Sequence, residues 1–219
     1  QPVPARTAED LAIGTLRRFG AATVHEAIGR TGALDPAIKP LDPATVLAGR
    51  ALTVDAAPGD NLAIHHAVSI ARPGDVLVVD AKGYLGAGVW GEILTQYAQQ
   101  VGVAGLVIDG AVRDSRQIVQ LGFPVFARGL CIKGTDKVNP GKVNVPITCG
   151  GVVVSPGDVI VGDADGVTVV PAADIDRAVE LAAARERKEN DLRDQLRTGA
   201  SLVDLLGLRS RLAVGGEPS

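Results

Sequence analysis

The sequence predicts an α/β domain, and three observations carry that expectation. Helix and strand patterns alternate through the first half, the middle turns to short strands around Val125, Ile132 and Val143 to Val154, and a long polar helix follows. No Ser- or Pro-rich linker and no break in composition divides the 219 residues, so one domain, 1–219, is expected.

The elements follow in order. "TAEDLAIGTLRRFG" is a helix with Thr7 as its cap and Gly20 as its stop. In "TVHEAIGR", Thr23 and Glu26 stand at capping-box spacing, which predicts a second helix start. "GRALTVDAA" reads as a strand and "DNLAIHHAVSIA" as a helix capped by Asp60. A Pro-Gly turn then feeds a buried strand in "RPGDVLVVDAKG", and "SPGDVIVGDADG" at 155 to 166 repeats that phrase between unrelated flanks. A helix from about Val89, an apolar strand from Ala104 to Ile108 and a helix from near Asp114 come between. The tail helix spans about 172–198 and stops at Gly199. At ~100° per residue, Ile175, Ala178, Ala182, Leu192 and Leu196 share one face. Glu189 falls near the middle of that face, either solvated or aimed at a polar partner.

Composition excludes several functions. A net charge of -3 supplies no basic field, and 3% aromatics leave few rings for stacking bases, so nucleic acid is not the expected partner. No apolar run approaches the ~20 residues of a membrane helix. The start, "QPVPARTAED", has no leader pattern and no initiator Met, so a processed or trimmed N-terminus and a cytoplasmic location are expected. Cys131 and Cys149 fit no zinc or redox spacing; two buried thiols are expected, with one disulfide as the alternative.

The chemistry gathers around residues 83 to 114. Gly86-Ala87-Gly88-Val89-Trp90-Gly91 is a literal G-x-G-x-x-G between a strand and a helix, with Asp109 ending the next strand. A dinucleotide-binding oxidoreductase is therefore one reading, although "KGYL" separates the strand from the glycines. The same glycines, with Gly83, also suit a backbone anion site at a helix N-terminus. Arg113-Asp114 sits where an α/β strand delivers its loop to a ligand crevice. Arginine offers a planar fork for a carboxylate, and one aspartate with waters suits Mg²⁺ or Mn²⁺ better than a zinc cage. The plainer alternative is a helix start with a favourable aspartate and a solvated arginine. Adjacent His65 and His66 form no i, i+4 metal pair, His25 reads as structural, and Lys133 as a surface lysine.

Together these residues resemble a known family. Gly88-x3-Glu92, twenty residues and Arg113-Asp114 match the G-x3-[DE]-x20-R-D signature of class II pyruvate aldolases. Those enzymes cleave 4-hydroxy-4-methyl-2-oxoglutarate and 4-carboxy-4-hydroxy-2-oxoadipate, and their wider family includes the regulator of ribonuclease activity A, RraA. "ATVHEAIGRTG", "PGDN" and "GFPVFAR" also look similar, and so do "VNVPITCGG" and "PGDVIVGDADGV", over about Ala22 to Gly199. The resemblance implies an RraA-like swivelling β/β/α sandwich, assembled as a homotrimer or homohexamer with active sites between subunits.

The resemblance also implies roles. Asp114 would bind the divalent metal, Mg²⁺ or Mn²⁺, and Glu92 one of its waters. Arg113 would grip the pyruvate carboxylate and enolate oxygen. The loop with Gly88 and Gly91, and the amides of Ile93 and Leu94, would complete the anion site. Glu189, with Glu186 second, would reach a neighbouring subunit's site through the long helix, which gives the charge on the apolar face a destination. Asn61, after a turn and at a helix start, is a further substrate-binding candidate. The implied reaction releases pyruvate from a 4-hydroxy-2-oxo acid, with oxaloacetate decarboxylation as a companion. Position 92 is Glu where the best-known aldolases carry Asp, a longer arm. The contrasting implication is a protein-binding ribonuclease regulator, which would need no Asp114.

Overall fold

The computed structural model describes residues 7–213, and the ends of the domain expected over 1–219 lie outside them. The chain falls into two compact units, residues 1–182 and 183–219.

The first unit is built on one eight-stranded mixed sheet. Its strands are β1 (Lys39–Pro40), β2 (Leu47–Asp55), β3 (Asp75–Gly88), β4 (Gly105–Val112), β5 (Val125–Leu130), β6 (Lys142–Val143), β9 (Val159–Asp163) and β10 (Gly166–Val170). The order is β1-β5-β4-β3-β2-β9-β10, with β6 also on β2. Strands β2 to β5 run parallel, while β9 and β10 return antiparallel. A separate hairpin pairs β7 (Ile147–Cys149) with β8 (Val152–Val154).

Alternation along the parallel strands feeds two cores. Leu52, Val54, Leu77, Val79, Leu106 and Ile108 face one side. There they meet α3 (Leu62–Ile70), α4 (Glu92–Val101) and α5 (Ser115–Gln120) through Ile64, Leu94 and Ile118. Ala51, Val76, Val78, Val107 and Phe126 face the other way and pack with Ile38, Ile160 and Val169. That second core joins residues from both ends of the strand order, so the sheet curls toward closure. Lys39 of β1 also donates to the carbonyl of Asp165, between β9 and β10. A third core packs α1 (Ala8–Phe19), α2 (Ala21–Ala27) and the start of α6 (Ile175–Arg197) on β9 and β10. Among the described residues no helix is long and apolar enough to cross a membrane.

Local signals account for much of this. Thr7 and Asp10 form a reciprocal capping box, and Gly20 ends α1 at φ 83°. The two PGD phrases make the same turn: Gly74 and Gly157 take φ of 90° and 88°. Asp75 accepts from the amide of Arg72 and Asp158 from that of Ser155, each at 2.8 Å. The strands they launch flank β2 on either side. The capping box expected at Thr23 does not form. Helix α2 starts earlier, because the Asp163 carboxylate takes the Ala21 amide at 2.7 Å and leaves Thr23 inside the helix.

The tail helix is α6, preceded by a 3₁₀ turn at Ala172–Asp174. The second unit holds its later turns, α7 (Leu202–Leu205) and α8 (Arg209–Ala213).

Candidate active site

The site begins with a strand that does not stop where its apolar run ends. After Asp80, β3 passes through Lys82 and Gly83, at φ 61° and 65°, and shifts register twice against β4. It pairs again at Tyr84 with Gly110 and at Gly88 with Ala111. The helix expected from Val89 therefore starts only at Glu92. Val89 and Trp90 remain tied to the next strand, through the Val89 amide to Ala111 and the Arg113 amide to the Trp90 carbonyl, at 3.1 and 2.8 Å. Trp90 is fully buried; its indole N–H donates to Thr95 Oγ1 at 2.7 Å, and its ring stacks on Phe123 at 6.0 Å.

This geometry explains the glycines. A Cβ on Gly88 would lie 2.3 Å from the Cys131 carbonyl, and one on Gly91 would lie 2.5 Å from Asp114 Oδ2. Both are small so that backbone and the Arg113-Asp114 pair can approach closely. They do not form the tight strand-to-helix turn that a dinucleotide needs. Asp109, the acidic residue of that reading, is instead fastened to Arg128 and to the Gly150 amide. The oxidoreductase reading fails on both counts.

Asp114 sits at φ 56°, ψ 35°, a left-handed conformation that costs a non-glycine residue about 1–3 kcal/mol. It caps α5 by position, yet its side chain serves α4: Oδ2 accepts the Glu92 amide at 3.0 Å. Arg113 Nε lies 3.7 Å from the same oxygen. Helix geometry leaves the next amides, those of Ile93 and Leu94, without acceptors inside α4. Both residues line the same cavity as Arg113 and Asp114, about 250 Å³ in volume. A somewhat larger cavity of about 330 Å³ beside Ala27 and Arg177 gathers no comparable chemistry.

The opposite wall comes from the start of α3. Asp60 takes the Leu62 amide as expected, but the cap position belongs to Asn61. Asn61 Nδ2 donates to the Val89 carbonyl at 3.0 Å, which fixes the amide's orientation. Its Oδ1 is buried without a partner, an arrangement that disfavours an empty site. One turn on, His65 also lines the cavity. Burial, with the nearby Lys137 charge adding, holds this imidazole below the usual histidine range. Thr135 and Lys137, from the segment between β5 and β6, complete the wall.

Asn61, Gly88, Gly91, Ile93, Leu94, Arg113 and Asp114 thus line one cavity. Glu92 is adjacent, but its carboxylate accepts from Gln96 at 3.0 Å, and it is its amide that meets Asp114. Glu186 and Glu189 belong to the second unit, where Glu189 pairs with Arg185 and Arg193 at 2.9 and 3.2 Å. Both cysteines are free, and burial, followed by the charges of Asp109 and Asp80, pushes the Cys149 thiol up. Thr135 and Lys137 are not singled out by the sequence, Trp90 enters only within the glycine motif, and His65 only as half of an unsuitable metal pair. The i, i+4 spacing of Asn61 and His65 was the available signal for that histidine.

Groups able to ligate a cation at this cavity are the oxygens of Asp114, Asn61 and Thr135 and the imidazole of His65, with the Glu92 carboxylate adjacent. No cluster of three or more His, Cys, Asp or Glu able to hold a metal occurs among the described residues. Few protein ligands and retained waters suit Mg²⁺ or Mn²⁺, not a closed zinc site.

The fold is an α/β domain with this cavity at the carboxyl ends of its parallel strands. The Aldolase/RraA (RraA-like) family model matches residues 21–169, and the chain belongs to that family. It is 40% identical to a Halalkalibacterium halodurans protein provisionally named 4-hydroxy-4-methyl-2-oxoglutarate aldolase, over 94% of this chain and 96% of that one. A solved Pseudomonas syringae protein of uncharacterised function has a TM-score of 0.82 and 29% identity, covering 93% of this chain and 96% of its own. RraAS2 of Streptomyces coelicolor, titled an unusual member of the RNase ES inhibitor RraA family, has a TM-score of 0.77 and 30% identity. That likeness covers 87% of this chain and all of RraAS2.

Proposed function

We propose that this protein is a divalent-metal-dependent lyase that cleaves a 4-hydroxy-2-oxo acid into pyruvate and a second oxo acid. The observation that carries the reading is the convergence of Arg113, Asp114 and the first amides of α4 on one cavity. Asp114 would hold Mg²⁺ or Mn²⁺, with Glu92 reaching it through a water. When bound, the ion supplies Lewis-acid stabilisation of charge on the 2-oxo and carboxylate oxygens.

The chain's own groups divide the remaining work. Arg113 presents two parallel N–H donors to the 2-oxo acid's carboxylate and to the developing enolate oxygen. The amides of Ile93 and Leu94, at the positive end of α4, receive the same anionic end. The fixed Asn61 carbonyl accepts a hydrogen bond, which matches the substrate's 4-hydroxyl group. Lys137 and Thr135 can receive a further carboxylate. A water held by Asp114, Glu92 or a partner's glutamate takes the 4-hydroxyl proton. The C3–C4 bond then breaks, its electron pair enters the enolate, and protonation at C3 gives pyruvate. Loss of CO₂ from oxaloacetate reaches the same enolate, so decarboxylation is the companion activity.

The working form in this reading is a cytoplasmic homotrimer or homohexamer, with Glu189, or Glu186, completing a neighbour's site. Large apolar side chains at and near the cavity support it: Ile93 is 75%, Val138 80% and Ile132 93% exposed. The RraAS2 likeness favours a second reading, a protein-binding regulator of a ribonuclease, in which the cavity has no chemical role.

Pyruvate release from oxaloacetate and from a 4-hydroxy-2-oxo diacid, with Mg²⁺ and with EDTA, separates the two. The lyase gives metal-dependent pyruvate that Asp114→Ala abolishes. No pyruvate from folded, metal-replete protein would move the reading to the regulator.

A further inference from the structure

One buried carboxylate is unused by the chemistry above. Asp60 is only 6% exposed, precedes Asn61, and has both oxygens engaged by backbone. Oδ1 accepts the Leu62 amide at 2.9 Å, while Oδ2 accepts those of Val138 and Asn139 at 2.7 and 2.9 Å. Two more backbone bonds run beside it, from the Asn61 amide to the Asp136 carbonyl and from the Asp136 amide to the Gly59 carbonyl. Residues 59–61 and 136–139 are thereby bound as a short parallel bridge. The bridged segment otherwise has little to hold it. Asp136 to Pro140 are all exposed, and no named strand or helix lies between Leu130 and Lys142. Yet this segment carries Thr135 and Lys137 to the cavity.

We propose that Asp60 is a positioning residue. Its carboxylate latches the 135–139 segment to the start of α3, and through Lys137 and Thr135 sets affinity for the end of the substrate far from Arg113. The choice of aspartate follows from the geometry. Three amides converge on one side chain, and only a short, acceptor-only group can serve them all without adding a donor. Asparagine would turn an N–H₂ toward at least one of those amides. The affinity part of the proposal rests on the lyase reading; the latch does not.

Two measurements on Asp60→Asn, in the intact oligomer with Mg²⁺, test it. With a 4-hydroxy-2-oxo diacid, whose far carboxylate survives the cleavage, KM should rise about tenfold while kcat changes less than about twofold, as for binding lost equally in ground and transition states. Adding Lys137→Ala should then cost nothing further, because the latch acts through that lysine. Additive effects of the two substitutions, or an unchanged KM, would overturn the affinity claim. Hydrogen exchange decides the latch independently: the amides of Val138 and Asn139 should exchange at least about tenfold faster in Asp60→Asn, with the α4 amides unaffected. Unchanged exchange at those two amides would refute the latch even if activity fell. Faster exchange in a protein that makes no pyruvate would uphold the latch and discard the lyase.

Discussion

Gly91→Ala is the most exacting perturbation, because one methyl group meets one carboxylate, that of Asp114. Gly91 has φ -157°, ψ -169°, extended backbone that alanine adopts freely, so the substitution carries no conformational penalty of its own. The new Cβ would stand 2.5 Å from Asp114 Oδ2 and 3.1 Å from Arg113 Cγ and Nε. Ordinary contact begins at 3.4 Å, so the carboxylate must retreat by about 0.9 Å. That displacement lengthens its bond to the Glu92 amide and moves together the two groups proposed to hold metal and substrate, Asp114 and Arg113. A misplacement of about 1 Å costs on the order of 10²-fold in rate. The side chains that yield are only partly buried, so the melting temperature should change by less than about 3 °C. The assay is pyruvate release coupled to lactate dehydrogenase, with Gly14→Ala as the matched control, since a Cβ there meets nothing within 4 Å. Activity within about threefold of wild type in Gly91→Ala would refute the placement of Asp114 in the reaction.

Three other outcomes are expected. Asp114→Asn keeps a residue tolerant of the left-handed region and an acceptor for the Glu92 amide. It should therefore fold normally, lose about 10³-fold in pyruvate release, and lose the rise in melting temperature that Mn²⁺ gives wild type. Thr95→Val leaves the buried Trp90 indole N–H without its acceptor, which should lower unfolding free energy by about 1–3 kcal/mol in urea titrations. His65 is held below the ordinary histidine value of 6.5, so the unfolded chain binds more protons around and below that pH. Stability should thus fall as pH drops through that range, and His65→Gln should flatten the fall in melting temperature between pH 7.5 and 5.5.

What could be read from sequence was what local chemistry decides. The cap at Thr7, the stop at Gly20 and the paired PGD turns each depend on side chains within three residues of the backbone they serve. The spacing from Gly88 to Arg113-Asp114 was legible because it spans one strand–helix–strand unit, β3 to β4. Reading failed where long-range pairing overrode local pattern. Strand β3 outran its apolar run because β4 offered pairing as far as Ala111, which delayed α4 to Glu92. Thr23 lost its capping role to a carboxylate 142 residues from Ala21. Thr135 and Lys137 carry no periodicity or motif, and only the bridge to residues 59–61 brings them to the cavity.

The same contrast bears on the proposed site independently of any motif. Away from the cavity the strands alternate between two cores, and Asp109 is satisfied by Arg128 and the Gly150 amide. Around the cavity several costly features meet. An aspartate takes the left-handed region, an asparagine carbonyl is buried without a donor, and a histidine is desolvated beside a lysine. Each costs stability, and a ligand that met these groups would offset it. An anionic, hydroxyl-bearing ligand, as proposed, would offset these. It would give Arg113 and Lys137 a counter-charge and the Asn61 carbonyl a donor. A neutral apolar ligand of the same volume would leave every one of those groups unsatisfied.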